Sequence, residues 1–198
     1  MLTLSEPPES PPSARERLLR GLAASIKKRG YRDTKVADIV AHARTSRRTF
    51  YEVFETKDDC FLALLHEMNQ QVQDQITAAM DPRDPWVDQV RAGVTAWVGS
   101  IAAEPELGVA WIRDLPSLGD RAVTAQRVAM RSFAELLISL TDTPEMRAAG
   151  VPPVTMPKAI ILLGGLRELA VAAAEQKLDV TTIIEPAVEA ALALLGPR

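Results

Sequence analysis

The sequence predicts an all-α fold, and three observations carry that prediction. The 198 residues include 29 alanines, the strongest helix former. Aromatic residues, which favour strands, make up only 5% of the chain. Apolar residues recur at helical spacing in one segment after another, and no segment alternates convincingly as a strand. With 47% apolar and 25% charged residues, the composition is that of a chain that buries a core.

The elements follow in order. Residues 1–12 contain Pro7, Pro8, Pro11 and Pro12 and read as a disordered arm. Ser13 and Glu16 have capping-box spacing, Leu18, Leu19, Leu22 and Ile26 form an apolar face, and Gly30 offers a stop, which predicts a helix over 14–29. Val36, Ile39 and Val40 form a short stripe with Thr34 as its N-cap. After Ala43-Arg44-Thr45, a run from Ser46 to Phe54 buries Phe50 and Phe54 one turn apart. Two short helices so close together, the second exposing basic residues, form a helix-turn-helix pattern.

Thr56 with Asp59 caps a fourth, long helix reaching Met80, lined by Phe61, Leu62, Leu64, Leu65, Met68 and Val72. Asp84-Pro85 opens the next, with Val90, Val94, Trp97, Val98 and Ile101 on its stripe and an end near 103. Helices over about 105–114, with Leu107 and Trp111, and 118–140, with Val123, Met130, Phe133, Leu137 and Leu140, follow. Residues 141–157, carrying Pro144, Gly150, Pro152, Pro153 and Pro157, predict a mobile loop where a ligand gate could sit. Ala159–Gln176 is a strongly apolar helix containing Gly164-Gly165. The last helix ends at Leu195, with Pro186 in its first turn or at a kink.

Composition narrows the function classes. One cysteine, Cys60, excludes an internal disulfide framework, and His42 and His66 are the only histidines, so no metal site and no cofactor are expected. His42 reads as a surface residue, whereas Cys60 and His66 read as core positions of the fourth helix. The long helices carry scattered Asp, Glu and Arg without a convergent set, which argues against an enzyme. No segment reaches the ~18 uninterrupted apolar residues of a membrane span. The longest run, Ala159–Leu166, stops at Arg167 and Glu168. The first residues carry Glu6 and Glu9 but no basic stretch, so a cytoplasmic location is the expectation.

The net charge of −3 hides an asymmetry. Residues 1–57 hold 12 Lys and Arg against 7 Asp and Glu, or +5, and residues 58–198 hold 11 against 19, or −8. A basic contact module joined to an acidic body accounts for this, as would a chance clustering of solvated charge.

Residues 30–65 read GYRDTKVADIVAHARTSRRTFYEVFETKDDCFLALL. This stretch resembles the DNA-binding domain of the TetR family of bacterial regulators. The family's Gly-aromatic turn, Thr, Asp-Ile pair, four-residue turn, Thr-apolar-Tyr triplet, Phe and Lys fall at Gly30-Tyr31, Thr34, Asp38-Ile39, Ala43 to Ser46, Thr49-Phe50-Tyr51, Phe54 and Lys57. One departure stands out: Arg44 and Thr45 replace the family's usual Gly and Val, so a left-handed residue 44 would be strained. Arg44 also places an extra cation near the DNA backbone.

The residues assign contact roles. Arg47 and Arg48 stand opposite Phe50 and Phe54 together with Thr49 and Glu52, and an arginine fork can read guanine O6 and N7. Ser46 and Thr49 can serve bases or phosphates, and Tyr51, by resemblance, reaches a phosphate. Lys57 at the start of the fourth helix, and Lys35 with the Thr34 hydroxyl at the second, suit phosphates as well. The basic Lys27-Lys28-Arg29 turn is as readily a complement to its helix dipole.

The resemblance implies domains at 13–57 (helix-turn-helix) and 58–198 (effector binding and dimerisation) after the 1–12 arm. It implies a homodimer on a pseudo-palindromic double-stranded DNA operator, most simply a repressor released by a hydrophobic or amphipathic small molecule, with no membrane partner. Met68, Trp97, Trp111, Met130 and Phe133 are candidate pocket residues, although such stripes also serve as plain core. Ile160, Leu163, Gly164, Gly165, Leu166, Leu169, Val188, Ala191 and Leu195 are candidates for a four-helix dimer interface, with burial inside one subunit as the alternative. A helical protein that binds DNA without reading sequence is the rival function, and an all-helical enzyme the more distant one.

Overall fold

A computed structural model describes residues 11–176 and 178–197, and the expected arm over 1–12 lies outside them except for Pro11 and Pro12. Among the described residues there are helices and turns and no strand, so the fold is all-α, with an N-terminal helix-turn-helix unit and a C-terminal helical unit. The chain divides into two compact units, the first ending at Leu64 and the second beginning at Leu65. That boundary lies within one helix.

In the first unit, α1 (Ala14–Asp33) starts on the predicted capping box: Ser13 accepts from the Glu16 N–H, and Glu16 accepts from the Ser13 N–H. Gly30 breaks its regular backbone at φ 79°, a left-handed conformation that glycine tolerates, and a short turn follows to Asp33. α2 (Val36–His42) is preceded at its N-cap by Lys35, whose N–H donates to Asp38 at 2.9 Å. Thr34 is therefore not the cap. Its hydroxyl instead donates to the Gly30 carbonyl at 2.7 Å, and the residue is buried. α3 (Arg47–Val53) starts on Ser46, which accepts from the Thr49 N–H.

These helices close around Leu18, Leu22, Ile26, Ile39 and Phe50, all essentially inaccessible, with Phe54 tilted against Phe50. α1 approaches α2 closely at Gly21, where an added Cβ would lie 2.6 Å from the Ile39 carbonyl oxygen and 3.0 Å from the Ala43 Cβ. α4 (Lys57–Ala79) begins on the expected Thr56–Asp59 box. Cys60 and Phe61 are buried in it, whereas His66 is exposed and not a core residue. An apolar stripe covers only part of a helix circumference, and His66 falls outside it.

The second unit contains the remainder of α4, then α5 (Trp86–Ala103), α6 (Pro105–Arg113), a 3₁₀ turn (Leu115–Leu118) and α7 (Asp120–Thr141). After these come α8 (Pro144–Ala148), α9 (Met156–Glu175), a second 3₁₀ turn (Val180–Ile183) and α10 (Ile184–Leu195), with Pro186 in the first turn of α10. α9 packs on α7, and α10 on α5. Their shared core includes Val94, Val98, Ala134, Leu162, Leu166, Val188, Ala191 and Leu195.

The segment 141–157 is not the loose loop that its prolines predict. Thr143 caps α8, and Met146, Val151 and Val154 are all buried. Three apolar anchors outweigh the loop composition. Gln89, also buried, ties the turn before α5 by donating to the carbonyls of Pro82 and Asp84.

Candidate nucleic-acid interface and an apolar cavity

The α2–turn–α3 segment is built so that one side of α3 faces inward and the other faces solvent. Phe50 is fully buried, while Arg47, Arg48, Tyr51 and Glu52 are exposed, Tyr51 at 59%. Thr49 is half-buried, and its hydroxyl lies 3.0 Å from that of the exposed Ser46. Arg48 Nε donates to Glu52 Oε1 at 2.9 Å. Lys35 and Arg44 are also exposed, so seven of the nine expected contact residues lie on or near the surface around α2 and α3.

Arg44 adopts φ 49°, making it the one non-glycine residue at positive φ among the described residues. Its N–H donates to the Ala41 carbonyl at 3.3 Å, and the Thr45 N–H donates to Val40 at 3.0 Å. This pair of reverse bonds is the Schellman arrangement, in which the first residue past the helix is left-handed and usually glycine. The strained turn anticipated from the sequence is present.

Thr34 and Lys57 are placed differently from the expectation. The Thr34 hydroxyl is turned inward, as described. Lys57 Nζ donates to the carbonyls of Tyr31 at 2.9 Å and Thr34 at 3.0 Å, and lies 4.1 Å from the centre of the Tyr31 ring. Tyr31 stacks on Phe61, and its hydroxyl donates to Asp58. The ammonium therefore fastens the turn after α1 to the start of α4. The last carbonyls of α1 carry the negative end of the helix dipole and lie within reach of the ammonium.

His42 is exposed, as expected, with Nδ1 near Ser25 Oγ and the Asp38 carbonyl. Arg29 is exposed and pairs with Asp38 at 2.9 Å. Burial pushes the Cys60 thiol up to about 12, which leaves it unreactive at neutral pH.

In the second unit a cavity of about 70 Å³ lies among α4, α5, α7, α9 and α10, with an almost wholly apolar wall. Trp97 and Phe133 line it, as expected of a pocket. Met68, Trp111 and Met130 do not, and Ile76, Met80, Leu140, Leu162 and Leu163 complete much of the wall instead. Helical periodicity marks the apolar face of each helix but not the part of that face left unfilled. Thr141 is a polar lining residue, and its hydroxyl is bonded to the carbonyls of Leu137 and Ile138 in its own helix.

The expected dimer residues separate into two groups. Leu166, Val188, Ala191 and Leu195 are buried inside the subunit and present no face to a second chain. Val188, Ala191 and Leu195 turn the α10 stripe towards α5, and Leu166 on α9 joins the same core. Ile160 and Leu169 are exposed on α9, as is Ile161 at 65%. Gly165 is exposed, Leu163 and Gly164 are half-buried, and a Cβ on either glycine would meet no atom within 4 Å. Packing inside the chain thus does not explain the glycine pair.

A basic, solvent-facing second helix on a three-helix platform defines the class as helix-turn-helix DNA-binding proteins. Residues 18–64 match the family described as bacterial regulatory proteins, tetR family. No curated protein matches the chain by sequence.

Solved structures show where else this fold occurs. The fatty acid degradation regulator FadR from Bacillus halodurans superposes with a TM-score of 0.78 at 17% identity, covering 94% of this chain and 97% of its own. FadR from Bacillus subtilis, in complex with stearoyl-CoA, gives 0.73 at 14% identity, covering 92% and 98%. A tetR-family regulatory protein from Rhodococcus RHA1 gives 0.64 at 21% identity, covering 95% and 100%. At such identities the likeness is one of fold. Among the described residues, no helix is long and apolar enough to cross a membrane, and no group of three or more His, Cys, Asp or Glu could hold a metal ion.

Proposed function

We propose that the protein is a homodimeric transcriptional regulator, acting as a repressor, that reads a pseudo-palindromic operator through α3 and is released by a small molecule with an apolar body. The observation that carries this reading is the pairing of exposed Arg47 and Arg48 with buried Phe50 on one short helix. Arg47 and Arg48 read bases, and Ser46 and Thr49 serve bases or phosphates. Tyr51, Lys35 and Arg44 hold the backbone. Lys57 and Thr34 position the reading unit from within, and for them this replaces the phosphate role expected from sequence. The domain division at 13–57 and 58–198 is retained as a functional one.

The second chain is joined through α9, with Ile160, Ile161 and Leu169 as its apolar contacts and Gly164-Gly165 as the point of closest approach. Small residues permit helices to approach closely, and an exposed apolar face gains from being covered. The effector occupies the apolar cavity. The stearoyl-CoA bound by the Bacillus subtilis regulator supports a ligand with a long apolar portion. Such a ligand releases DNA only by binding the DNA-incompetent arrangement more tightly, because equal affinity shifts no equilibrium.

Footprinting on genomic fragments tests the first part, since a sequence-reading regulator protects discrete sites. Sedimentation of Ile161→Lys tests the dimer: the variant should be a folded monomer with weakened operator binding. A panel of fatty acids and their CoA thioesters, scored by melting temperature and operator release, tests the effector. A ligand at ~100 times its dissociation constant should stabilise the fold by ~2.7 kcal/mol.

A further inference from the structure

We infer that Glu52 is a specificity-determining residue that holds Arg48 in the orientation needed to read guanine. This rests on the proposed role of Arg48 as a base reader and extends it to the residue that organises it.

A negative side chain on a DNA-reading face needs a reason. It repels phosphates, and Glu52 stands on the exposed side of α3 together with Arg47, Arg48 and Tyr51. The structure gives it a partner. Its Oε1 accepts from Arg48 Nε at 2.9 Å, one helical turn away, with both side chains in solvent, Arg48 at 88%.

The geometry of guanidinium makes that choice of atom consequential. Five N–H groups radiate from a rigid plane, one on Nε and two on each Nη. A carboxylate on Nε occupies the inner edge and leaves both Nη groups for guanine O6 and N7. It also restricts a long stem that otherwise samples many rotamers, so less freedom is lost when the base is engaged. Arg47, the neighbouring arginine, makes no such ion pair among the described residues. The two arginines therefore differ: Arg48 is braced and Arg47 adapts. A braced fork discriminates because a displaced acceptor finds it turned away.

The full-length protein and a randomised double-stranded DNA library, with bound sites sequenced after selection, provide the test. Arg48→Ala should abolish the preference at one guanine position, a loss of roughly 10- to 100-fold in discrimination. Glu52→Ala and Glu52→Gln should each relax preference at that same position by about threefold or more, while binding to unselected DNA strengthens. In the Arg48→Ala background, Glu52→Ala should change no base preference further. Both sites are exposed, and circular dichroism verifies that the variants fold.

Three results would overturn the inference, each recognisable. An equal change on all sequences would make Glu52 a plain surface charge. A change in preference that persists without Arg48 would make Glu52 itself a reader of cytosine N4–H. Retained preference in Arg48→Ala would remove the base-reading role of Arg48, and the bracing role of Glu52 with it.

Discussion

Replacing Arg44 by glycine should stabilise the protein, although it removes a side chain and adds nothing. Residue 44 sits at φ 49° and closes α2 with two reverse hydrogen bonds, from its own N–H and that of Thr45. A side chain in the left-handed region costs roughly 1–2 kcal/mol. Glycine avoids that cost but has more freedom to lose on folding, roughly 0.5–1 kcal/mol. The net gain is about 0.5–1 kcal/mol, or about 1–4 °C in melting temperature for a chain of this length. Arg44→Ala is the control, since it removes the same charge and keeps the strained backbone. Urea unfolding of the three proteins should place glycine about 1 kcal/mol above alanine. Both variants should bind DNA with a shallower salt dependence than the parent, because each removes a cation proposed to lie near the DNA backbone. If glycine proves no more stable than alanine, the turn is not strained at residue 44 and the reasoning fails.

Gly21→Ala should destabilise the first unit by roughly 1–3 kcal/mol, because its Cβ would sit 2.6 Å from the Ile39 carbonyl oxygen; a melting temperature equal to the parent's would show that α1 and α2 can separate freely. Lys57→Met should cost about 2 kcal/mol by leaving the Tyr31 and Thr34 carbonyls without their charged donor, and a change below about 0.5 kcal/mol in urea unfolding would mean the ammonium is solvated. Arg83 hydrogen-bonds to Asp81 and holds its carboxyl at about 2, below its ordinary 3.8, so the stabilisation it lends is complete above 3.8 and disappears as pH falls through about 2. NMR titration of Arg83→Leu should return Asp81 to its ordinary range, and an unchanged titration would show that another group holds it.

Much of the first unit was legible because its signals are local. A serine and a glutamate three residues apart define a cap wherever they precede an apolar run, and Gly30 and Arg44 fell where a helix must end. What the residues did not reveal depends on neighbours distant in sequence. The need for glycine at position 21 comes from the Ile39 carbonyl, eighteen residues further on, which no local pattern around Gly21 announces. Lys57 reads as a surface cation until two carbonyls more than twenty residues earlier come within reach. Val188, Ala191 and Leu195 announce an apolar stripe, but periodicity does not say whether the same chain or another covers it. Between Thr141 and Pro157, prolines and a glycine carry a strong local loop signal, yet the burial of Met146, Val151 and Val154 decides the fold there.

The Thr141 hydroxyl, which spends its proton on its own helix, has a consequence for chemical selectivity. A chamber whose lining offers almost no donor or acceptor cannot tell an alcohol from an amine by recognising either, and merely disfavours both. Any guest it admits would be ranked by how well it fills the space. Each added methylene contributes about 0.8 kcal/mol, roughly a fourfold step, until the chamber is full and the next one collides. If the proposed effector binds here, such a lining would measure length, and a homologous series would give a ramp with an abrupt end.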